Sequence, residues 1–371
     1  MDPRNQVLAK NLVQYSCAVQ PGENVLISCH GMGPLPLVRQ IIKEVYAVGG
    51  HPYLEIKTAD TERELLLGIS ETELNHMARW ECERMKEMDC YIGVRGDENQ
   101  TELADVPNGQ LQLYSKLLTR PLNEIRVPHT KWVVLRYPTA SMAQSAKSSL
   151  EQFEDFFYQV CNLDYSKMSK AMDPLVALMN RTDKVHIVGP GTDLRFSIQG
   201  IPAIKCDGKC NIPDGEVYTA PVKDSIYGTI TYNTPSEYNS FTFENVSLTF
   251  EAGKIISCSA NDNQRLNEIF DTDEGARYVG EFALGVNPYV TKAMNNILFD
   301  EKIRGSLHFT PGCCYDDAPN GNKSAIHWDL VLIQTPEMGG GEIYFDDVLI
   351  RKDGRFVLPE LACLNPENLG E

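Results

Sequence analysis

VLIS (Val25–Ser28), LPLVRQIIKEVYAV (Leu35–Val48) and PYLEI (Pro52–Ile56) follow one another within the first sixty residues, and their order sets the fold class. A short apolar run reads as a buried strand. In Leu35–Val48 apolar residues recur at three and four positions, the helical period, and Gly49–Gly50 then stops the helix. Further apolar runs lie at Cys90–Val94 (CYIGV), Trp132–Arg136 (WVVLR) and Val185–Val188 (VHIV), with helical patterns at 110–120 and 140–182. Strand, helix, strand in repeated order predicts a doubly wound parallel sheet covered on both faces.

Near Asp183 the texture changes. Short strands are expected at Leu194–Ile198, Tyr227–Tyr232, Ser240–Glu244 and Val246–Phe250, with turn residues such as Thr234-Pro235-Ser236 between them. A short helix opens at Leu266–Phe270, and EIYFDDVLIRKDGRFV reads as a hairpin turning at Asp353-Gly354. The expected organisation is an N-terminal α/β domain, residues 1–185, and a mixed α+β, mainly β, metal-binding domain, residues 186–371. No internal repeat or low-complexity tract is visible.

The 371 residues carry a net charge of −17, which repels phosphate backbones and argues against a nucleic-acid partner. No run approaches the roughly 18 apolar residues that span a bilayer. The first residues, MDPRNQVLAKNLVQYS, place no apolar core behind basic residues, so no signal peptide is expected and the cytoplasm is the expected location. The eleven cysteines are scattered, which suits a reducing compartment. CDGKC (Cys206–Cys210) has no second pair at a zinc-finger distance.

Cys29-His30-Gly31-Met32-Gly33-Pro34 lies between a strand and a helix, as a phosphate cradle would. The third glycine of GxGxxG is replaced by Pro36, so a structural turn is expected. His30, His51, His76, His129 and His186 have no partners at informative spacing and are expected to be surface or core residues.

Five elements in the second half carry polar residues that packing does not explain. Glu216 follows a Pro-Asp-Gly turn in NIPDGEVYTAP, and Glu281 lies inside the apolar segment YVGEFALG. A buried lone carboxylate costs several kcal/mol and needs a cation or donor. FDEKIRGSLHFTPG supplies Glu301 and His308, with Tyr315 shortly after. In SAIHWDLV, His327 and Asp329 are two apart, so on a strand both project from one face while Trp328 and Leu330 point the other way. Gly339–Gly341 looks like a flexible connection. Four carboxylates would raise one another's pKa if left empty, and two divalent ions would cancel their charge. Nitrogen and oxygen donors without thiolate suit zinc, cobalt or manganese. Two such ions about 3.5–4 Å apart can share a hydroxide.

These segments resemble the thermophilic-type aminopeptidases, the AmpS, PepS and aminopeptidase T family, over nearly the whole chain. YSCAVQPGENVLIS and GGGEIYFDDVLIRKDGRF add to the match. The resemblance implies a two-domain, usually homodimeric exopeptidase with a co-catalytic metal pair, acting on peptides with a free N-terminus by attack of a metal-bridging hydroxide. It implies Glu216, Glu281, His308, His327 and Asp329 as ligands, with Glu281 bridging, Glu301 as a further acidic ligand, and Tyr315 assisting the transition state. The general base is left open between Glu281 and Glu301. Relatives commonly read H-x-A-x-G where this chain has His308-Phe309-Thr310-Pro311-Gly312, a departure that bears on substrate preference. A dinuclear amidase or phosphoesterase and a non-catalytic peptide or metal carrier are the alternatives.

Overall fold

The computed structural model describes residues 2–239, 241–294 and 296–370. Two compact units divide it: Met1–Asn162 with Gly208–Pro213, and Leu163–Asp207 with Asp214–Glu371. The textural change near residue 185 falls in the strand Lys184–Gly189, whereas the second unit begins at Leu163, because the helix Tyr165–Met179 packs within it.

The first unit is built on a parallel sheet with the strand order His51–Lys57, Asn24–His30, Cys90–Arg95, Lys131–Arg136, Asn211–Ile212. The five central positions of Asn24–His30 are buried, as are the first five of Cys90–Arg95, which is why these strands read as unbroken apolar runs. The helix Leu35–Ala47 buries Leu37, Val38, Ile41 and Val45, the face its period marked out. The turn after the first strand is tightly packed. Gly31 takes φ +84, and a Cβ there would stand 2.3 Å from the carbonyl oxygen of Gly96.

One strand lies elsewhere than expected. VHIV is a strand, but Lys184–Gly189 pairs antiparallel with both Thr192–Ser197 and Glu342–Phe345, in the second unit. Only Pro190-Gly191 separates it from the next strand, and a two-residue loop joins antiparallel strands, never parallel ones. Asn211–Ile212 completes the parallel sheet instead.

The second unit holds an eight-stranded antiparallel sheet and a five-stranded one. The larger sheet ends in the expected hairpin at Asp353-Gly354, with φ +51 and +77, the positive pair that a tight hairpin turn demands. Ser240 of the expected strand Ser240–Glu244 lies outside the described residues, and Phe241–Phe243 pairs with Ser236–Tyr238. Among the described residues no helix is long and apolar enough to cross a membrane.

The five-stranded sheet runs Val331–Ile333, Ser306–Pro311, Val279–Gly285, Glu216–Thr219, Ile204–Cys206. One face is aromatic. Phe282 and Phe309 each meet the Phe196 ring at 5.0 Å, and Phe250 meets Phe309 at 5.8 Å. The other face carries small residues at its centre, Ala283 and Gly285, and the turn after Phe299 presses onto it. A Cβ on Gly285 would stand 2.4 Å from the Ile303 carbonyl oxygen and 3.0 Å from that of Glu301. Gly285→Ala is therefore expected to destabilise the protein by about 1–3 kcal/mol in denaturant unfolding. Gly68→Ala, where a Cβ meets nothing within 4 Å at a helix end, should be neutral or stabilising by up to about 1 kcal/mol. Equal midpoints for the two variants would contradict this packing.

Candidate metal centre

Register places the acidic residues together. In the antiparallel ladder Glu216 faces Gly285, His308 faces Ala283, and Thr310 faces Glu281. Residues two apart on one strand share a face, so Glu281, Ala283 and Gly285 point the same way, and so do their cross-strand partners. Glu216, Glu281 and His308 are thus on one side, 4%, 3% and 1% exposed. The small side chains of Ala283 and Gly285 leave room above the sheet for the charged groups.

Glu281 is the centre of the cluster. Its Oε1 lies 3.1 Å from His308 Nε2 and its Oε2 lies 3.2 Å from His327 Nε2. His327 Nε2 is also 3.2 Å from Asp329 Oδ1, and His308 Nε2 is 3.6 Å from Glu216 Oε2. The ligand atoms form two trios, Glu216–Glu281–His308 and Glu281–His327–Asp329, each within 4.8 Å of one another, with Glu281 in both.

His327 and Asp329 do converge, though not from a regular strand as expected. The strand begins only at Val331, and His327 makes a single isolated bridge to Gly312. Two backbone bonds hold the segment against the end of Ser306–Pro311: Cys313 N donates to the Ile326 carbonyl and Trp328 N to the Pro311 carbonyl. Trp328 is buried on the other side among Tyr238, Phe243 and Phe270, and its indole donates to Ser236. That aromatic anchor fixes the strip even without a continuous ladder.

The remaining expected residues fall in two places. Glu301 is in neither trio; its Oε1 accepts from Lys302 Nζ at 2.6 Å. Tyr315 is 46% exposed, with its ring 4.7 Å from that of His327 and 5.5 Å from that of Tyr218. Tyr218 in turn donates to Asp317.

Three polar neighbours escaped the sequence reading. Lys302 is buried with its ammonium 2.6 Å from Glu216 Oε1 and 3.5 Å from Asp214 Oδ1. Thr310 donates to Asp329 Oδ1 at 2.8 Å. The residue that departs from H-x-A-x-G is therefore a hydrogen-bond donor to a candidate ligand. Cys206, set aside with CDGKC, groups with Asp214 and Glu216. The adjacency of Lys302 to Glu301, and the position of Thr310 two residues after His308, were the available signals.

Burial and charge set the protonation of the cluster. Burial pushes Glu216 up to about 7, against the opposing charge of Lys302. Burial disfavours the charged form of His308, yet Glu216 and Glu281 outweigh it and push it up to about 9. Burial likewise opposes His327, but Asp329 and Glu281 push it up to about 12. Burial alone would raise Asp329, and His327 instead holds it well below the usual carboxylate range. Without metal, the Lys302 ammonium and the protons on the imidazoles serve as the cations.

A metal ion fits these donors. His327 Nδ1 donates to the Cys313 carbonyl at 2.8 Å, which orients the ring so that Nε2, once an ion displaces its proton, would offer a lone pair on the side of Glu281 and Asp329. Glu216 Oε2 and His308 Nδ1 are buried without hydrogen-bond partners among the described residues. Carboxylates with imidazoles and no committed thiolate suit a first-row divalent ion.

An α/β unit joined to an antiparallel unit that buries paired carboxylate–imidazole trios is the make-up of a metalloprotein. The model of the thermophilic metalloprotease (M29) family matches residues 1–356, and the chain belongs to that family, as its motifs implied. Aminopeptidase 2 of Geobacillus stearothermophilus is 22% identical over 94% of this chain and 94% of its own length. The wild-type AmpT structure from Thermus thermophilus superposes with a TM-score of 0.77 at 20% identity, covering 96% of this chain and 99% of that one. A 2,5-dihydroxypyridine dioxygenase from Pseudomonas putida KT2440 shares the fold, with a TM-score of 0.62 at 13% identity over 97% of this chain and 98% of its own.

The raised groups set a pH dependence. In the metal-free fold Glu216, His308 and His327 hold protons that the unfolded chain has given up. The Glu216 contribution is complete below its unfolded pKa of 4.5 and lost as pH rises through about 7. The His308 contribution is complete below 6.5 and lost through about 9, while that of His327 declines up to about 12. Unfolding therefore releases protons, and metal-free stability falls from about pH 6 to about pH 9. Thermal unfolding of stripped protein should show a falling Tm across that window, and added zinc or cobalt should flatten it. A metal-free Tm that rises across the window would contradict the assignment.

Proposed function

We propose that the chain is a metal-dependent aminopeptidase that releases N-terminal amino acids from peptides. In this reading one divalent ion sits at Glu216, Glu281 and His308, and a second at Glu281, His327 and Asp329. The observation that carries it is the pair of trios sharing Glu281, in a chain of a metalloprotease family. The choice of N-terminal hydrolysis is supported by a relative named Aminopeptidase 2 that spans nearly the whole chain. A homodimer working in the cytoplasm completes the reading, on the family resemblance alone.

The ions, zinc, cobalt or manganese by donor type, would supply a water of lowered pKa and polarise the scissile carbonyl. The protein groups do the rest. Both oxygens of Glu281 face histidines, so it serves as a ligand and Glu301 is left as the proton acceptor. Burial keeps the Glu301 pKa above the usual carboxylate range, against the charge of Lys302, which moves it toward the range of a working general base. Glu301 takes the proton of the attacking water and returns it to the leaving amine. Tyr315, steadied by the rings of Tyr218 and His327, donates to the developing oxyanion. The excess of carboxylates draws the substrate's α-ammonium.

A second reading has its own observation. Lys302 already supplies one cation beside Glu216. With only one ion bound, the trio Glu281, His327 and Asp329 would hold it, and a ferrous ion there would supply oxygenase chemistry instead. The fold is shared with a protein named as a dioxygenase.

The test is release of p-nitroaniline from free-amino and N-acetylated aminoacyl anilides, with stripped protein refilled with each metal. Metal-dependent turnover of the free-amino series alone is expected. Glu281→Gln should lose kcat/KM by several orders of magnitude, and Tyr315→Phe should lower kcat by about 10²–10³-fold. Near wild-type turnover in Glu281→Gln would refute the assignment. Oxygen uptake with ferrous iron and a dihydroxypyridine, with every anilide inert, would put the oxygenase reading in its place.

A further inference from the structure

Lys302 is the one buried lysine among the described residues, with a side chain 2% exposed. Its ammonium has three hydrogens and three carboxylate neighbours: Glu216 Oε1 and Glu301 Oε1 at 2.6 Å, and Asp214 Oδ1 at 3.5 Å. The backbone around it is pinned. Lys302 N donates to the Phe299 carbonyl, its own carbonyl accepts from Asn287 N, and Arg304 N donates to the Val290 carbonyl. Contact of the Glu301 and Ile303 carbonyls with Gly285 holds the turn against the sheet. The ammonium has no exit to solvent and acts as a fixed charge.

We propose that Lys302 is an internal cation that makes the two metal positions unequal. The position at Glu281, His327 and Asp329 holds its ion tightly, and the position at Glu216, Glu281 and His308 holds its ion weakly. This rests on the metal-dependent reading above and deepens it.

The reason is charge and committed donors. An ion at the Glu216 position has only Glu216 Oε2 to use, since Oε1 is spent on Lys302. It also meets the repulsion of an ammonium bonded to the same carboxylate, in a buried site where screening by salt is small. Glu301, which could have served as a further ligand there, is held by the same ammonium. At the other position no lysine or arginine bonds to Glu281 or Asp329 among the described residues. His327 is preset by the Cys313 carbonyl, and Asp329 is steadied by Thr310. The lysine does for Glu216 and Glu301 what a second metal would otherwise do.

The test measures bound metal. Full-length protein loaded with cobalt is dialysed against metal-free buffer and its cobalt counted by plasma mass spectrometry, beside a calorimetric cobalt titration. Wild type should keep about one ion per chain and bind a second at least about tenfold more weakly, given the size of one nearby like charge. Lys302→Met should strengthen the second site until about two ions survive dialysis, because Glu216, Asp214 and Glu301 then have no ammonium beside them. Should that variant fail to fold, two others decide. Glu216→Gln should still keep the tight ion, and Asp329→Asn should lose it. Two ions of equal affinity in wild type would overturn the proposal, as would loss of the tight ion in Glu216→Gln with retention in Asp329→Asn. Anilide hydrolysis measured in parallel separates the two ideas. Two equal ions with full activity would overturn the asymmetry alone, whereas one tight ion with no hydrolysis would support it and overturn the peptidase reading.

Discussion

A carboxylate closed in on both sides by imidazoles is the constraint on which the second unit depends. Glu281 is 3% exposed on a strand buried at every position, and each of its oxygens meets a different histidine. Leaving such a charge unpaired by removing a partner costs about 3–5 kcal/mol. The surroundings answer that cost. The aromatic side of the sheet, Phe282 and Phe309 against Phe196, gives the strand a rigid backing. The small side chains of Ala283 and Gly285 open the space above it, and Lys302 and the imidazoles fill that space with positive charge.

Rigidity and irregularity divide the work. Glu216, Glu281 and His308 take their positions from an antiparallel ladder, where register fixes which groups meet. His327 and Asp329 come from a strip with no continuous ladder, tied by Asn322 to the Gly275 and Gly312 carbonyls and by Trp328 to an aromatic cluster. Loop-borne ligands on a rigid scaffold are how sites usually gain chemistry without loss of fold. The Thr310 bond to Asp329 belongs to the same device.

Much of this was legible in the residues. The periods of Val25–Ser28 and Leu35–Val48 were enough for the parallel sheet, and Asp353-Gly354 for the final hairpin, because turn and period are local properties. Glu281 stood out because a carboxylate in an apolar strand needs an explanation, His327 and Asp329 because of their two-residue spacing, and the resemblance joined Glu216 and His308 to them. Partnership was harder. VHIV is recognisable as a strand, yet nothing in those four residues says which sheet takes them; only the two-residue turn after it does. Lys302 was invisible for a similar reason. A lysine beside a glutamate on a turn is ordinary surface composition, and only the approach of the turn to Gly285 buries it. Thr310 likewise became a donor only through the convergence of Asp329.

The most direct measurement of the central claim, that Glu281 and its imidazoles form a metal site, is anomalous diffraction from crystals of the cobalt- or zinc-loaded protein, collected on both sides of the metal's absorption edge. The account predicts its strongest peak within bonding distance of Glu281, His327 Nε2 and Asp329, about 2.0–2.2 Å for such ligands. A chain with no peak there, or with its only peak at Cys206 and Asp214, would contradict it.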